Sequence, residues 1–169
     1  MPPISSLISP QDVEQTARVL LAFLLGGAIG WERERVQRPA GLRTHMLVCA
    51  GSACFAIASA YGYAGLGTVR DPARIAAQIV TGVGFLGAGT IFRTQDTVRG
   101  LTTAASIWMV AAIGLLIGTG MYWLAVSATI FSLIALWGLR PARRRVRRFG
   151  EPALVGEDGD HDEANGDDG

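Results

Sequence analysis

The chain has 169 residues, of which 50% are apolar and 17% are charged, and 22 of them are glycine. This composition excludes an ordinary soluble core and favours a membrane protein. The net charge of +1 hides two parts of opposite sign, because residues 1–150 carry 15 Arg against 6 acidic residues, whereas residues 151–169 carry 8 acidic residues and no Arg or Lys.

Stretches without charged residues predict the membrane spans, since placing a charge in hydrocarbon costs roughly 3 kcal/mol or more. Four such stretches lie at residues 19–31, 44–69, 75–92 and 100–139. A span needs about 20 residues, so the last stretch is long enough for two helices joined by a turn at residues 118–120. The first stretch reaches spanning length if it extends back through Arg18, whose long stem can bring its charge to the interface. We therefore predict an all-α integral membrane protein with five transmembrane helices packed through Gly- and Ala-rich faces.

The distribution of Arg predicts the orientation of these helices. Twelve Arg follow spans one, three and five, whereas Arg18, Arg70 and Arg74 fall on the other side. Segments rich in basic residues stay in the cytoplasm, so we expect the N-terminus outside and the C-terminus in the cytoplasm. No removable signal peptide is predicted, because residues 1–15 lack a basic segment and no small-residue cleavage site follows the first apolar stretch.

The chain divides into four predicted parts: an extracytoplasmic segment at residues 1–14, a five-span membrane domain at 15–140, an Arg-rich juxtamembrane segment at 141–150 and an acidic tail at 151–169. We expect the tail to be disordered, since it has too few apolar residues to form a core. The Arg-rich segment is expected to lie at an anionic lipid leaflet, and no nucleic-acid partner is expected.

Glycines are concentrated in the predicted spans. The segment from Gly82 to Gly87 matches the dinucleotide-binding pattern G-x-G-x-x-G, but it lies inside a span and outside any βαβ unit, so nucleotide binding is not predicted. Contacts between membrane helices rely on small residues instead. This rule predicts helix packing at Gly26, Gly30, Gly82, Gly84, Gly87 and Gly89, and also at the spaced pair Gly114 and Gly118. A backbone break at residues 87–89, which would expose carbonyl groups to an ion, is the alternative for that segment.

Polar residues within the membrane are candidate functional residues, because they rarely face lipid. Asp71, Arg74, Gln78 and Thr81 share one side of a predicted helix and form an intramembrane polar stripe. The stripe would line a path for a solute. The alternative is an ion pair between Asp71 and Arg74 at the interface, with Gln78 bonded to a neighbouring helix.

A second set of polar residues is expected at the cytoplasmic membrane surface, where Arg93 also falls. This predicted cytoplasmic cluster consists of Glu32, Glu34, Arg43, Thr44, His45, Arg99, Thr102 and Thr103. Its alternative is ordinary loop charge that only sets the topology.

No catalytic residue or cofactor is predicted, and the chain is not expected to be an enzyme. Cys49, Cys54 and two distant histidines make neither a zinc site nor a disulfide framework. Mg²⁺ prefers carboxylate oxygens, and no two carboxylates lie close together within a span, so any metal ligands are unknown. A weakly held hydrated cation at Glu32 or Glu34 is the remaining alternative.

Five segments together resemble the MgtC/SapB family of bacterial inner-membrane proteins. They start at Gly30, Gly41, Asp71, Gly82 and Val98, and they read GWERE, GLRTH, DPARIAAQIV, GVGFLGAGTI and VRGLTTAA. The resemblance covers about residues 15–140. It implies five spans, the bacterial inner membrane, and a link to growth under Mg²⁺ limitation, acid stress or survival inside host cells. The chain resembles the short members, which consist of the membrane domain without the folded C-terminal domain of longer members.

Together with the polar residues, the resemblance leads to two hypotheses of different classes. In the first, the protein regulates partner membrane proteins during adaptation to low Mg²⁺ or related stress, through a cytoplasmic face that contains Glu32, Arg43 and Thr102. In the second, it transports Mg²⁺ or another cation as an oligomer, along a path lined by Asp71, Arg74 and Gln78. The expected partners are the lipid bilayer, other membrane proteins and a second copy of the chain.

Overall fold

The computed structural model describes residues 9–62, 71, 73–94 and 97–138. The predicted Arg-rich segment, the acidic tail and residues 1–8 lie outside the described residues. The helices are α1 (Pro10–Arg35), α2 (Leu42–Ile57, prolonged by a π-helical turn at Ala58–Gly62), α3 (Ala73–Ala88), α4 (Leu101–Gly118) and α5 (Tyr122–Gly138). The prediction of an all-α membrane fold with five helices is confirmed.

The five helices differ in length. Three helical segments are long and apolar enough to cross a membrane: Pro10–Arg35, Leu42–Gly62 and Leu101–Gly118. Two apolar helices, Arg74–Ala88 and Tyr122–Gly138, are shorter. At 1.5 Å per residue, the 17 described residues of α5 span about 25 Å.

A short β-hairpin that the sequence analysis did not predict connects α3 to α4. α3 ends at Ala88, although the charge-free stretch continues into β1 (Phe92–Arg93), which pairs antiparallel with β2 (Val98–Arg99). Gly100, the N-cap residue of α4, then has a φ of 90°. A Cβ at Gly100 would lie 1.8 Å from the Thr90 carbonyl oxygen, so this turn requires glycine for both its conformation and its space.

Local capping explains why α1 begins well before its charge-free stretch. Pro10 takes the first helical position, and the Ser9 side chain accepts a hydrogen bond from the Asp12 amide at 3.2 Å. In return, the Asp12 carboxylate accepts one from the Ser9 amide at 2.8 Å. This capping box satisfies amide groups that the first turn leaves without a helical partner.

Helix α4 lies at the centre of the bundle and contacts the four other helices. One core cluster joins α1, α2, α4 and α5 and includes Ile29 and Ile113. A second cluster joins α3 to α4 and includes Val83 and Ile107. Helix α4 therefore contributes buried residues to both clusters.

Glycines allow α1 and α4 to approach α2 closely. A Cβ at Gly26 would lie 2.6 Å from the Cys49 Cβ, and a Cβ at Gly30 would lie 2.8 Å from the Leu42 Cα. On the side of α4, a Cβ at Gly114 would lie 2.0 Å from the Cys49 carbonyl oxygen. Backbones in such contact leave no space for a larger side chain. The contacts also show that α2 runs antiparallel to α1, because the end of α1 meets the start of α2.

The other predicted packing glycines lie in more open surroundings. Beyond its own helix backbone, a Cβ at Gly82 or Gly84 would meet no described atom within 4 Å, and a Cβ at Gly89 would meet only carbonyl oxygens at the end of α3. A Cβ at Gly87 would lie 3.6 Å from the Ala104 Cβ, which is an ordinary contact between α3 and α4. Helix packing at Gly82 and Gly84 therefore stays a prediction.

Candidate functional site

The end of α1 and the starts of α2 and α4 lie together at one end of the bundle, which we call the His45 end. All eight residues of the predicted cytoplasmic cluster belong to these segments or to β2, which precedes α4. They form two layers. The buried layer contains His45, Thr103 and the half-buried Glu32, and the exposed layer contains Glu34, Arg43, Thr44, Arg99 and Thr102.

His45 lies at the centre of the buried layer. Its side chain is fully buried, with Nδ1 2.8 Å from the Gly41 carbonyl oxygen and Nε2 3.0 Å from the Ser106 Oγ. The Ser106 hydroxyl also lies 2.8 Å from the Thr103 carbonyl oxygen. The imidazole therefore links α2 to the first turns of α4. Ser106 was not among the predicted site residues, because a serine in an apolar helix is not conspicuous.

Arg33, which also belongs to the buried layer, was not among the predicted site residues. Arg33 is 3% exposed, and its Nε donates to the Glu32 carboxylate. Helical spacing would have identified it, since Arg33 continues the buried face of α1 that contains Ala22, Gly26 and Ile29. Because Arg33 acts electrostatically on His45, the ion pair forms part of the same polar site.

Glu34 has a structural role that its assignment to the cluster did not include. Its Oε2 accepts a hydrogen bond from the Leu42 amide at 2.7 Å. The N-cap of α2 is Gly41, which has no side chain to cap the helix. A carboxylate from α1 therefore takes that place, where the dipole of α2 favours negative charge. One oxygen of this candidate cation ligand is thus already hydrogen bonded.

The exposed layer presents basic and hydroxyl groups at the His45 end. Arg43 and Thr44 lie on the first turn of α2, Thr102 lies on the first turn of α4, and Arg99 lies in β2. All four side chains are exposed. They can therefore contact another molecule without a change in the packing of the bundle.

The intramembrane polar stripe does not face the interior of the bundle. Asp71, Arg74, Gln78 and Thr81 are all exposed. The Thr81 hydroxyl donates to a carbonyl oxygen of its own helix at 3.1 Å. Gln78 and Ser52 contribute polar groups to a cleft of about 680 Å³ between α2 and α3, whose other lining residues are apolar or glycine. A path along this stripe would therefore run on the outside of a single chain.

A second polar site lies at the opposite end of the bundle and was missed by the sequence analysis. Arg18 Nη1 donates to the carbonyl oxygen of Gly118, the last residue of α4, at 2.8 Å, and Nη2 donates to Glu14 at 2.5 Å. The rings of Tyr61 and Tyr122 lie 5.7 and 5.8 Å from the Arg18 Cζ. Only 11% of the Arg18 side chain is exposed. It caps α4, because carbonyl groups at a helix C-terminus attract a cation.

Metal ligands were left unknown by the sequence. Among the residues that the structure describes, no group of three or more His, Cys, Asp or Glu side chains is placed to hold a metal ion. The carboxylates of Glu32 and Glu34 bind Arg33 and the Leu42 amide. A hydrated cation at these two residues stays a hypothesis.

Comparison with known proteins identifies the family. The MgtC family matches residues 19–145 of the chain. The protein named "Putative magnesium transporter YhiD" of Escherichia coli (strain K12) is 50% identical over 123 residues, which are 70% of this chain and 57% of that protein. "Protein MgtC" of Salmonella typhimurium (strain 14028s / SGSC 2262) is 50% identical over 132 residues, which are 78% and 54% of the two chains.

A third relative, "Protein MgtC" of Brucella abortus (strain 2308), is 49% identical over 120 residues, which are 71% of this chain and 49% of that protein. The chain spans about half the length of the curated relatives it matches. No solved structure matches it. The family match covers most of the chain, including α2, α3, α4 and α5. With its apolar helices, the chain is therefore a membrane protein that belongs to the MgtC family.

Proposed function

We propose that the protein supports growth at low Mg²⁺ by binding and regulating partner membrane proteins. The observation that carries this proposal is the division of the His45 end into two layers. The buried layer links α2 to α4 through His45 and Ser106, whereas the exposed layer presents Arg43, Thr102 and their neighbours on the first turns of packed helices. Arg is enriched at protein interfaces, and rigid elements position recognition residues well.

The packing of the bundle interior supports the same proposal. Gly26 and Gly114 bring α1 and α4 into backbone contact with α2. Mg²⁺ is bound through oxygen ligands and keeps several of its waters, so a conducting path needs space and polar groups. The interior between these three helices is instead filled by apolar side chains such as Ile29 and Ile113.

The names of the relatives support the link to Mg²⁺, since the Escherichia coli protein is named "Putative magnesium transporter YhiD". We place the chain in the bacterial inner membrane, with the N-terminus outside and the His45 end in the cytoplasm. The basic residues Arg35, Arg38 and Arg43 at the His45 end support this orientation, because basic segments stay in the cytoplasm.

We expect growth at low Mg²⁺ to depend on the exposed side chain of Arg43. In a strain whose growth at low Mg²⁺ depends on this protein, Arg43→Ala should reduce growth to the level of the empty vector. The side chain is exposed, so its removal takes away a contact for a partner and leaves the folded bundle intact. Growth is measured in limiting Mg²⁺, together with the amount of protein in the membrane fraction.

Arg38→Ala is the matched control, because Arg38 is also an exposed Arg at the His45 end but lies outside the predicted cluster. This variant should grow like the wild type. Normal growth of the Arg43→Ala strain would contradict the assignment of the exposed layer as the binding face. A loss of growth in both strains would show that growth needs positive charge at the His45 end in general, and it would contradict a specific role of Arg43.

Transport by an oligomer is the second candidate, and the position of Gln78 in the cleft between α2 and α3 favours it. If two copies meet along α3, their clefts enclose a shared path with polar groups inside the membrane. Gln78→Leu should then remove most of the saturable Mg²⁺ uptake into liposomes that contain the purified protein.

Thr81→Val serves as the control for this experiment, because the Thr81 hydroxyl is bonded to its own helix and does not line the cleft. Uptake that Gln78→Leu lowers and Thr81→Val preserves would establish transport in place of regulation. Uptake equal to that of empty liposomes, from folded protein, would remove the transporter hypothesis.

A further inference from the structure

The polar contacts around His45 need three hydrogen atoms to become hydrogen bonds. Three short contacts form one chain: Nδ1 to the Gly41 carbonyl oxygen at 2.8 Å, Nε2 to the Ser106 Oγ at 3.0 Å, and the same Oγ to the Thr103 carbonyl oxygen at 2.8 Å. Both ends of the chain are carbonyl oxygens, which only accept hydrogen bonds. Each of the three contacts therefore needs its own hydrogen from His45 or Ser106.

A neutral imidazole carries one N–H and the serine carries one O–H, so the neutral pair has two hydrogens for three contacts. With the hydrogen on Nδ1, the Ser106 hydroxyl must donate to Nε2, and its contact with Thr103 has no hydrogen. With the hydrogen on Nε2, the hydroxyl can donate to Thr103, but Nδ1 faces the Gly41 carbonyl with a lone pair. A protonated imidazole supplies the third hydrogen, and all three contacts become hydrogen bonds.

Burial makes the missing hydrogen bond costly. His45, Thr103 and Ser106 are 0%, 2% and 4% exposed. Bulk water therefore does not complete the missing hydrogen bond, and an unmatched polar contact is costly in a medium of low dielectric. The protonation state of the His45 imidazole therefore determines whether the Ser106 hydroxyl donates a hydrogen bond to the Thr103 carbonyl oxygen within α4.

The charged and titratable groups that face His45 come mainly from α1. Arg33 acts on the ring electrostatically and is paired with Glu32. Glu34, also from α1, accepts a hydrogen bond from the Leu42 amide at the start of α2. Within α2 itself, Cys49 lies one turn further along and is buried. The groups that α4 places against the ring, the Ser106 hydroxyl and the Thr103 carbonyl, are neutral.

We propose that His45 and Ser106 form a buried proton-binding site that switches a hydrogen bond of α4. In the neutral state, Nδ1–H donates to Gly41 and the Ser106 hydroxyl donates to Nε2. When one proton binds Nε2, the new N–H donates to the Ser106 Oγ, and the hydroxyl hydrogen rotates to the Thr103 carbonyl oxygen. The ligand is one proton taken from water, and no electron is transferred.

The consequence is a change in the link between α2 and α4 without a change in the residues that form it. Helix α4 contacts every other helix, and Thr102, which follows Leu101 at its start, belongs to the exposed layer. Proton uptake at His45 therefore acts on the end of the bundle to which the binding face is assigned. The proton site itself does not depend on that assignment or on Mg²⁺.

The test is nuclear magnetic resonance of the full chain in lipid nanodiscs, with ¹⁵N-labelled His and ¹³C-labelled backbone carbonyls. The sample is titrated from about pH 9 to about pH 4, the range in which protein histidines change charge. We expect the two ring nitrogens of His45 to change from one protonated to both protonated, and the Thr103 carbonyl signal to shift with the same midpoint. His45→Gln separates the His45 signals from those of His161 and should abolish the Thr103 shift.

The carbonyl of Ala125 is an internal control in the same spectrum. It accepts the buried Thr129 hydroxyl at 2.8 Å, in a helix that contains no histidine, so its signal should not follow the titration. A His45 ring that stays singly protonated throughout would overturn the proposal. So would a ring that titrates while the Thr103 carbonyl keeps its position.

Two variants separate the switch from a general effect of pH. Ser106→Ala removes the hydroxyl and should abolish the Thr103 shift, whereas Ser106→Thr keeps a hydroxyl and should preserve it. A Thr103 shift that survives in Ser106→Ala would contradict the role of Ser106. Should a variant fail to fold, the titration of the wild-type chain still decides the proposal by itself.

Discussion

Gly114→Ala should lower the free energy of unfolding by about 3 kcal/mol, near the upper end of the usual cost of overpacking a core. The added Cβ would lie 2.0 Å from the Cys49 carbonyl oxygen and 3.0 Å from the Ser52 Cβ. Because the first neighbour is backbone, no side-chain rotation relieves the overlap, and α2 and α4 must move apart. Unfolding of the purified protein in mixed detergent micelles, followed by helical circular dichroism, measures the loss.

Gly51→Ala is the matched control for this substitution. Gly51 lies in α2, two residues after Cys49, but a Cβ there would meet no described atom within 4 Å. Alanine favours a helix over glycine by about 1 kcal/mol, so this variant should be as stable as the wild type or slightly more stable. A Gly114→Ala protein that unfolds like the wild type would contradict the backbone contact between α2 and α4.

Arg18→Met should lower the free energy of unfolding by about 2 kcal/mol, since a hydrogen bond to a charged group contributes about that much. Methionine keeps an unbranched apolar stem, but it loses the bond to the Gly118 carbonyl oxygen and the interaction of the guanidinium with the rings of Tyr61 and Tyr122. The same unfolding experiment in micelles measures the effect. The C-terminal turn of α4 should also exchange its amide hydrogens faster.

Glu14→Gln distinguishes the cap on α4 from the ion pair within α1. Glu14 is 59% exposed and lies one turn before Arg18, and such a pair contributes at most about 0.5 kcal/mol. The control should therefore have little effect on unfolding. Equal losses for Arg18→Met and Glu14→Gln would show that the ion pair, and not the contact with Gly118, gives Arg18 its importance.

The positions of the helices could be predicted because charged residues are costly in hydrocarbon, so that stretches of sequence without them indicate the membrane helices. The ends of the helices could not be read from the same pattern. α1 starts at Pro10, where Ser9 and Asp12 cap it, and α3 stops at Ala88, where the chain turns towards the β-hairpin. These ends depend on hydrogen bonds of individual residues, which hydropathy does not describe.

The candidate site was predicted in part. Charge distribution placed Glu32, Arg43 and Thr102 at one end, and the helices do bring their segments together there. The pattern did not distinguish the buried Arg33 from its exposed neighbour Glu34, since both are charged and adjacent in sequence. Helical spacing separates them, because Arg33 continues the buried face of α1 and Glu34 does not.

The sequence by itself determined a five-helix membrane protein, because the charge-free stretches and their lengths are properties of the chain alone. The tertiary structure alone decided which small and polar residues meet. Gly82 and Gly114 both lie in apolar helices, yet of these two only Gly114 contacts the backbone of α2. Arg18 bonds the end of α4, which lies a hundred residues further along the chain. Spacing within one helix defines a face, but the partner of that face depends on how separate helices assemble.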